Sequence, residues 1–261
     1  MNQKCLHWTR REMLATGIRV AGAGVCGGLI TQLATSMQAT ARAESKNISV
    51  IDAHSHIWTR DIEQYPLAKG ATLADLAPSS FTTEELLATM ATENVDRCVL
   101  IAHNKFYEFD NRYMTDAAKA HPGKFRIAGM VNDAKPRPDV EMKRLLPLGV
   151  TGFRIVPGRG GDQWLSHSGM QTMWKCAAET RQAICCLINP ENLPEVDKNC
   201  ERFPDTPVVI DHFARIGVDG KFAEADLKNL CRLARHKHTS VKISAYYALG
   251  EKKPPHLEML P

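Results

Sequence analysis

From residue 48 onward, short apolar runs alternate with segments in which apolar residues recur at helical spacing. The apolar runs predict strands at residues 48–52, 97–102, 125–131, 152–156, 183–189, 208–211 and 241–245. The segments between them predict helices at residues 83–94, 111–120, 139–148, 170–181, 193–202 and 223–236. Thr82 and Asp110 are suited to capping helix starts, and Gly149 to ending a helix. Such alternation predicts an α/β protein with a parallel sheet covered by helices.

A closed barrel and an open doubly wound sheet both fit this alternation. Polar residues follow many of the strands: His54, His56, His103, Asn104, Arg154, Asn189, Asp211, His212, Tyr246 and Tyr247. A barrel brings the carboxyl ends of all its strands to one mouth, whereas an open sheet concentrates its site at one switch point. The chain has no glycine-rich nucleotide-binding motif. We therefore expect a TIM (β/α)8-type barrel.

The strand count falls short of a complete barrel, because the pattern predicts seven strands and the barrel has eight. After residue 245 the chain runs through Gly250, Pro254 and Pro255 into an apparent helix start at residues 256–260. We expect a barrel domain at residues 44–261 that lacks its eighth strand. Such a sheet has two unpaired edges, which leaves pairing with another copy in a homo-oligomer open.

The first 43 residues have the character of a targeting segment. The sequence Thr9-Arg10-Arg11-Glu12-Met13-Leu14 resembles a twin-arginine export signal, and the apolar residues 15–33 follow it. Small residues at Ala41 and Ala43 then predict cleavage before Glu44. We expect export to the periplasm with no stable membrane anchor after cleavage, since the glycine, threonine and arginine content of residues 15–33 makes a poor membrane span.

Charge and cysteine content exclude several classes of protein. The formal charge of +4 arises within the first 43 residues, and the remainder carries as many acidic as basic residues. We therefore expect no nucleic-acid partner. No CxxC pair occurs, so a structural zinc site has no support. Cys185 and Cys186 are adjacent on a predicted strand and should point to opposite faces of the sheet.

Two histidines close to the first strand are the strongest candidates for chemistry. His54 and His56 are two residues apart on extended chain, so both imidazoles project to the same side and can hold one metal ion. Two histidines at this spacing commonly occur by coincidence, without binding a metal ion. Its place at the start of a barrel pattern, directly after Asp52, favours a metal site at the barrel mouth.

The segment Asp52-Ala53-His54-Ser55-His56-Ile57-Trp58 resembles the strand-one signature of the amidohydrolase superfamily. Within it, the chain is similar to the amidohydrolase-related branch, which includes lactone hydrolases and a decarboxylase of the aminocarboxymuconate-semialdehyde type. Further matching segments are Asp110-Asn111-Arg112-Tyr113, Gly152-Phe153-Arg154-Ile155, Val209-Ile210-Asp211-His212-Phe213-Ala214-Arg215 and Val241-Lys242-Ile243-Ser244.

The resemblance implies a site with a divalent metal ion, zinc being the first choice, although metal-independent action stays open. His54 and His56 would be metal ligands, and His212 would lie beside the metal or hold the substrate. Arg154 would pair with a substrate carboxylate, because a guanidinium leaving a buried strand needs an anion. A structural salt bridge of Arg154 and a buried Asp211–His212 pair without ligand role are the alternatives.

Two departures from the family pattern bear on catalysis. The fifth strand leads to Asn189 where many members carry a metal-binding histidine, and an amide oxygen is a weaker zinc ligand. The family also supplies an aspartate after strand eight, which the pattern here does not reach. The candidate catalytic residues are therefore Arg154, Asn189, Asp211 and His212. Candidate substrate contacts are Trp58, Arg154, Arg215 and Tyr246, although Tyr246 and Tyr247 are more typical of packing residues.

These observations favour an exported hydrolase that activates water for attack on a carbonyl carbon. The expected substrate is a small lactone or related cyclic ester that carries carboxylate or hydroxyl groups. One alternative is a metal-dependent nonoxidative decarboxylase of an unsaturated carboxylic acid. The other is a truncated, non-catalytic remnant.

Overall fold

The structure is a computed structural model that describes residues 49–158 and 164–253. The twin-arginine segment, its predicted cleavage site and residues 256–260, for which a helix start is predicted, lie outside the described residues. Within those ranges, no helix combines the length and the apolar character that crossing a membrane requires.

The described residues form one parallel sheet of seven strands that pair in chain order. The strands are β1 (Ile51–Ser55), β2 (Arg97–Ile101), β3 (Phe125–Gly129), β4 (Val150–Ile155), β5 (Ala183–Cys186), β6 (Val208–Ile210) and β7 (Thr239–Val241). The helices are α1 (Thr83–Thr92), α2 (Asn104–Tyr107), α3 (Arg112–Ala120), α4 (Pro138–Leu145), α5 (Ser168–Thr180), α6 (Leu193–Arg202) and α7 (Glu224–Arg232). The sheet curls as in a TIM-type barrel, which confirms the predicted fold class.

Several predicted bounds were wrong where the apolar run and the paired segment differ. β1 begins three residues later than predicted and ends at Ser55, because its pairing with β2 runs from Ile51 opposite Arg97 to Ser55 opposite Leu100. His54 is therefore part of the strand. β7 begins at Thr239, two residues earlier than predicted, and ends at Val241, whereas residues 242–244 of the predicted strand lead into a left-handed residue at Ala245 (φ 63°). Pairing partners, rather than hydrophobicity, set these ends.

The two faces of the sheet bury different residues. The large core lies between the sheet and the helices and includes Phe153, Trp174 and Cys186. A smaller cluster consists of strand residues alone, with Ile101, Ala128 and Cys185 at its centre. It therefore lies on the concave side of the sheet. Cys185 and Cys186 belong to different clusters, which confirms that they point to opposite faces.

The ends of the helices follow the predicted caps in part. Thr82 forms a capping box with Glu85 at the start of α1, where the Thr82 Oγ1 accepts from the Glu85 N–H at 3.3 Å. Asp110 accepts from the Arg112 N–H at 2.9 Å, although the cap residue of α3 is Asn111. Gly149 is left-handed (φ 91°) and ends a short 3-10 turn between α4 and β4.

The carboxyl end of β3 is fixed by a side chain from the loop before α3. The Asn111 Oδ1 accepts from the Met130 N–H, and its Nδ2 donates to the Met130 carbonyl oxygen, both at 2.9 Å. Gly129 makes this approach sterically feasible, since a Cβ at that position would lie 2.5 Å from the Asn111 Oδ1. Asn111 thus continues the pairing of β3 beyond its last strand partner and shapes the barrel mouth there.

Candidate active site

Four histidines meet at the carboxyl end of the sheet. His54 lies in β1, His56 follows it, His103 follows β2 and His212 follows β6. Their rings form a row: the centroids of His212 and His54 are 4.6 Å apart, those of His54 and His56 5.0 Å, and those of His56 and His103 5.1 Å. Since the strands converge at this end, residues far apart in sequence become neighbours.

His54 and His56 are arranged as a pair of metal ligands would be. Their Nε2 atoms lie 3.3 Å apart. Two nitrogens that each bind one tetrahedral ion at about 2.1 Å would be separated by about 3.4 Å. The His56 Nδ1 lies 2.7 Å from the Ile101 carbonyl oxygen and must donate to it. The His56 Nε2 therefore carries a lone pair, which is available on the side that faces the His54 Nε2.

Both imidazoles are kept neutral by their surroundings. Burial, and then the positive charge of Arg154, lower the pKa of His54 to about 2. Burial lowers the pKa of His56 to about 4, against the opposing hydrogen bond to Ile101. A neutral imidazole is the form that binds a metal ion. The two rings are therefore competent ligands at neutral pH without the loss of a proton.

A buried ion-pair group lies beside these histidines. The Arg154 Nη2 donates to the Asp211 Oδ2 at 3.1 Å, and the two side chains are only 5% and 0% exposed. The Lys242 Nζ lies 3.2 Å from the other oxygen of Asp211. Burial lowers the pKa of Arg154, while the Asp211 carboxylate raises it. Arg154 is thus in a buried salt bridge, which was one of the two predicted alternatives.

Asp211 and His212 begin a turn with unusual backbone geometry. His212, Phe213 and Ala214 have φ values of 53°, 58° and 51°, a left-handed conformation that is unfavourable for residues with a Cβ. The Phe213 N–H donates to the Lys242 carbonyl oxygen at 3.0 Å and holds the turn against β7. The His212 Nδ1 pairs with the Ser244 Oγ at 2.9 Å. Strained backbone of this kind is concentrated at functional sites.

Asp211 and His212 also complete a group of potential metal ligands. One donor atom from each of His54, Asp211 and His212 lies within 4.8 Å of the other two. Burial lowers the pKa of His212, while the Asp211 carboxylate opposes that shift. Together with the His56 Nε2, the described residues supply three imidazoles and one carboxylate to a single region.

The other predicted site residues have partners of their own. The Asn189 Oδ1 accepts from the Arg215 Nη1 at 3.1 Å, and the Asn189 Nδ2 donates to the Glu191 Oε1 at 3.0 Å. The Trp58 Nε1 donates to the Pro78 carbonyl oxygen at 2.9 Å. Tyr246 lines a small hollow with Phe213, Ile243, Ser244 and Leu249.

Three residues at this end of the sheet had no predicted role. Lys242 contacts Asp211, and Ser244 contacts His212, so the segment that follows β7 contributes both partners of the turn after β6. His103 stacks on Phe106 with ring centroids 3.8 Å apart and also contacts His56 and Trp58. Burial lowers the pKa of His103. The segment Val241-Lys242-Ile243-Ser244 was the available signal for the first two.

A cavity of about 550 Å³ opens beside Arg154. Its wall combines apolar and charged residues: Ala68, Lys69, Asn104, Lys105, Glu108, Phe109, Met130, Val131, Asp133, Arg154, Ile155, Val156, Gly158, Trp164, His167 and Met170. This volume is in the range of small-molecule sites. Lys105 pairs with Asp75 at 3.2 Å and His167 with Asp133 at 2.8 Å. Arg154 is the residue that belongs both to this wall and to the histidine cluster.

Comparisons with known proteins place most of the chain in one family. The model of the amidohydrolase family matches residues 51–258. An L-fucono-1,5-lactonase of Burkholderia ambifaria is 25% identical over 215 residues, which cover 80% of this chain and 71% of the relative.

Solved structures show the same fold. A probable 2-pyrone-4,6-dicarboxylic acid hydrolase from Acinetobacter baumannii, with citric acid bound, has a TM-score of 0.67 at 20% identity, covering 81% of this chain and 76% of its own. An amidohydrolase from Burkholderia multivorans with bound zinc has a TM-score of 0.63 at 15% identity, covering 78% and 72%.

Proposed function

The chain belongs to the amidohydrolase family and is a hydrolase of that superfamily, and on this premise we propose that it is an exported enzyme that hydrolyses a lactone or related cyclic ester. The observation that carries the proposal is the convergence of the His54 and His56 Nε2 atoms, 3.3 Å apart, on a site that Arg154 links to a cavity of about 550 Å³. The candidate metal ligands, the Arg154 guanidinium and the cavity that would hold the substrate are thus adjacent.

The residues present fit a divalent metal ion. His54, His56 and His212 offer imidazole nitrogens and Asp211 a carboxylate, which is a donor set typical of zinc. The opposed Nε2 lone pairs of His54 and His56 repel each other unless a cation or a proton donor lies between them. A bound ion would polarise the ester carbonyl and lower the pKa of a bound water.

The remaining residues bind and orient the substrate in this proposal. Arg154 faces the cavity and offers a planar fork to a carboxylate. Lys69 and Lys105 lie on the same wall, together with the acidic residues Glu108 and Asp133. His212 is held through its Nδ1 by Ser244, so its Nε2 is the atom available to a substrate oxygen or to a metal. Asn189 orients Arg215 through the hydrogen bond between them.

The substrate class is supported by the relatives' activities. The similar curated protein is an L-fucono-1,5-lactonase, and a similar solved structure is a probable 2-pyrone-4,6-dicarboxylic acid hydrolase. Both names denote cyclic esters, one rich in hydroxyl groups and the other in carboxylates. The guanidinium of Arg154 on the cavity wall favours a lactone with at least one carboxylate.

We expect the purified protein to release acid from a panel that contains both lactone types, measured with a pH indicator. Activity should fall at least tenfold after dialysis against a chelator and return on addition of zinc. Activity that survives chelation with no protein-bound metal would exclude the metal role. Carbon dioxide release in place of simple acid release would favour the decarboxylase alternative, and inactivity on both lactone types would overturn the proposed substrate class.

Export by the twin-arginine route is a part of the proposal that rests on sequence only. Arg10 and Arg11 precede the apolar segment, with the small residues Ala41 and Ala43 ahead of the expected cleavage site. Replacing both arginines with lysine should abolish appearance of the processed protein in the periplasmic fraction, although the charge is unchanged. Continued export of this variant would exclude the twin-arginine route.

A further inference from the structure

One nitrogen of Arg154 bridges two groups that a metal ion would also use. The Arg154 Nη2 lies 3.1 Å from the Asp211 Oδ2 and 3.1 Å from the His54 Nε2. Its two N–H groups can therefore serve one acceptor each. A guanidinium nitrogen in this position performs the same electrostatic role as a bound cation, because it links a carboxylate to an imidazole in a buried site.

The contact with His54 fixes which atom of the imidazole carries the proton. Arginine has only donors, so the His54 Nε2 must be the acceptor and the proton of the neutral ring lies on Nδ1. The His54 Nδ1 has no hydrogen-bond partner among the described residues. An imidazole nitrogen has a single lone pair in the ring plane. It can accept from Arg154 or bind a metal ion, but it cannot do both.

Asp211 is engaged in a similar way. Its Oδ2 accepts from Arg154, and Lys242 lies beside its Oδ1. Lys242 neutralises the same carboxylate as Arg154 does, through its contact with the Asp211 Oδ1. Asp211 is therefore paired with two cations, and of these two Arg154 is the one that also donates to the His54 lone pair.

We propose that Arg154 is an internal competitor for the metal site: it must leave His54 when a divalent ion binds, and a substrate carboxylate that captures Arg154 thereby strengthens metal binding. This inference rests on the metal site of the proposed function. Arg154 also lines the cavity, so an anion bound there meets the same guanidinium. By linkage, metal binding strengthens binding of the anion by the same factor.

The first test compares zinc affinity in three variants, measured by competition with a chromophoric chelator. Arg154→Met should bind zinc at least tenfold more tightly than the wild type. Lys242→Met removes the same charge from Asp211 but leaves the hydrogen bond from Arg154 to the His54 lone pair in place, so it should change the affinity clearly less. Arg144→Met, which removes an exposed cation paired with Glu141 on α4, should leave it within twofold. Equal gains for Arg154→Met and Lys242→Met, or no gain for Arg154→Met, would overturn the competition.

The second test uses the wild-type protein, so it also decides the matter if Arg154→Met does not fold. Zinc affinity is measured in acetate and in chloride of equal ionic strength, with the free zinc concentrations matched between the two. Acetamide, which is uncharged, is the neutral control. We expect at least threefold tighter zinc binding in acetate than in chloride and none of this gain in acetamide. An affinity that acetate leaves unchanged would overturn the coupling.

These measurements do not depend on turnover. A protein that hydrolyses no lactone but shows the tenfold gain in Arg154→Met supports the inference while the proposed function fails. A zinc-dependent lactonase whose zinc affinity is insensitive to Arg154→Met and to acetate supports the proposed function while the inference fails.

Discussion

Replacing His54 with alanine should lower kcat/KM for lactone hydrolysis by at least about a thousandfold, which corresponds to about 4 kcal/mol of transition-state stabilisation. His54 has a central position: its Nε2 is 3.3 Å from the His56 Nε2, and its ring centroid is 4.6 Å from that of His212. Its loss removes one of the proposed metal ligands and also the neighbour that receives a hydrogen bond from Arg154. Steady-state kinetics and metal analysis of the same preparation measure both effects.

A matched histidine outside the site gives the control. His238 lies in the turn before β7, and its backbone carbonyl oxygen, rather than its side chain, bonds to Val208. His238→Ala should keep kcat/KM and the zinc content within twofold of the wild type, whereas His56→Ala should behave like His54→Ala. Retention of more than a tenth of the activity by His54→Ala would contradict the assignment of this pair to the reaction.

Much of the fold could be predicted because buried parallel strands leave a direct trace in the sequence. Strands covered on both faces need near-continuous apolar runs, and the runs at residues 97–102 and 183–189 indeed contain β2 and β5. The ends could not be predicted in the same way. β5 stops at Cys186 although Leu187 and Ile188 continue the apolar run, since strand ends depend on a pairing partner elsewhere in the chain.

The candidate site, like the fold, could be predicted only in part. His54, Arg154 and Asp211 could be proposed because each is a polar residue at the carboxyl end of an apolar run, and the structure brings His54 and Asp211 within hydrogen-bond distance of Arg154. Lys242 and Ser244 could not be given roles in the same way. Their significance comes from the left-handed turn after β6, which places Asp211 and His212 against β7. No local sequence signal specifies that turn, because none of its left-handed residues is glycine.

Replacing Asp211 with alanine should lower the free energy of unfolding by about 3–5 kcal/mol, the usual cost of removing one partner from a buried ion pair. Asp211 is fully buried between Arg154, which is 5% exposed, and Lys242, which is 16% exposed. Without the carboxylate, two cations remain near one another with little water to solvate them. Urea unfolding followed by circular dichroism measures the change. Asp205→Ala, at an exposed turn position, should cost less than about 0.5 kcal/mol.

Two further variants distinguish the loss of the Asp211 charge from the loss of Asp211 packing. Asp211→Asn retains the shape of the side chain and one hydrogen-bond acceptor, so it should still destabilise the protein if charge compensation is the main effect. Adding Arg154→Met to Asp211→Ala removes one stranded cation, and the double variant should therefore be more stable than Asp211→Ala alone. Additive costs in the double variant would contradict the ion pair as the source of the effect. Such additivity would mean that Asp211 stabilises the barrel mouth through the packing of its side chain rather than through its charge.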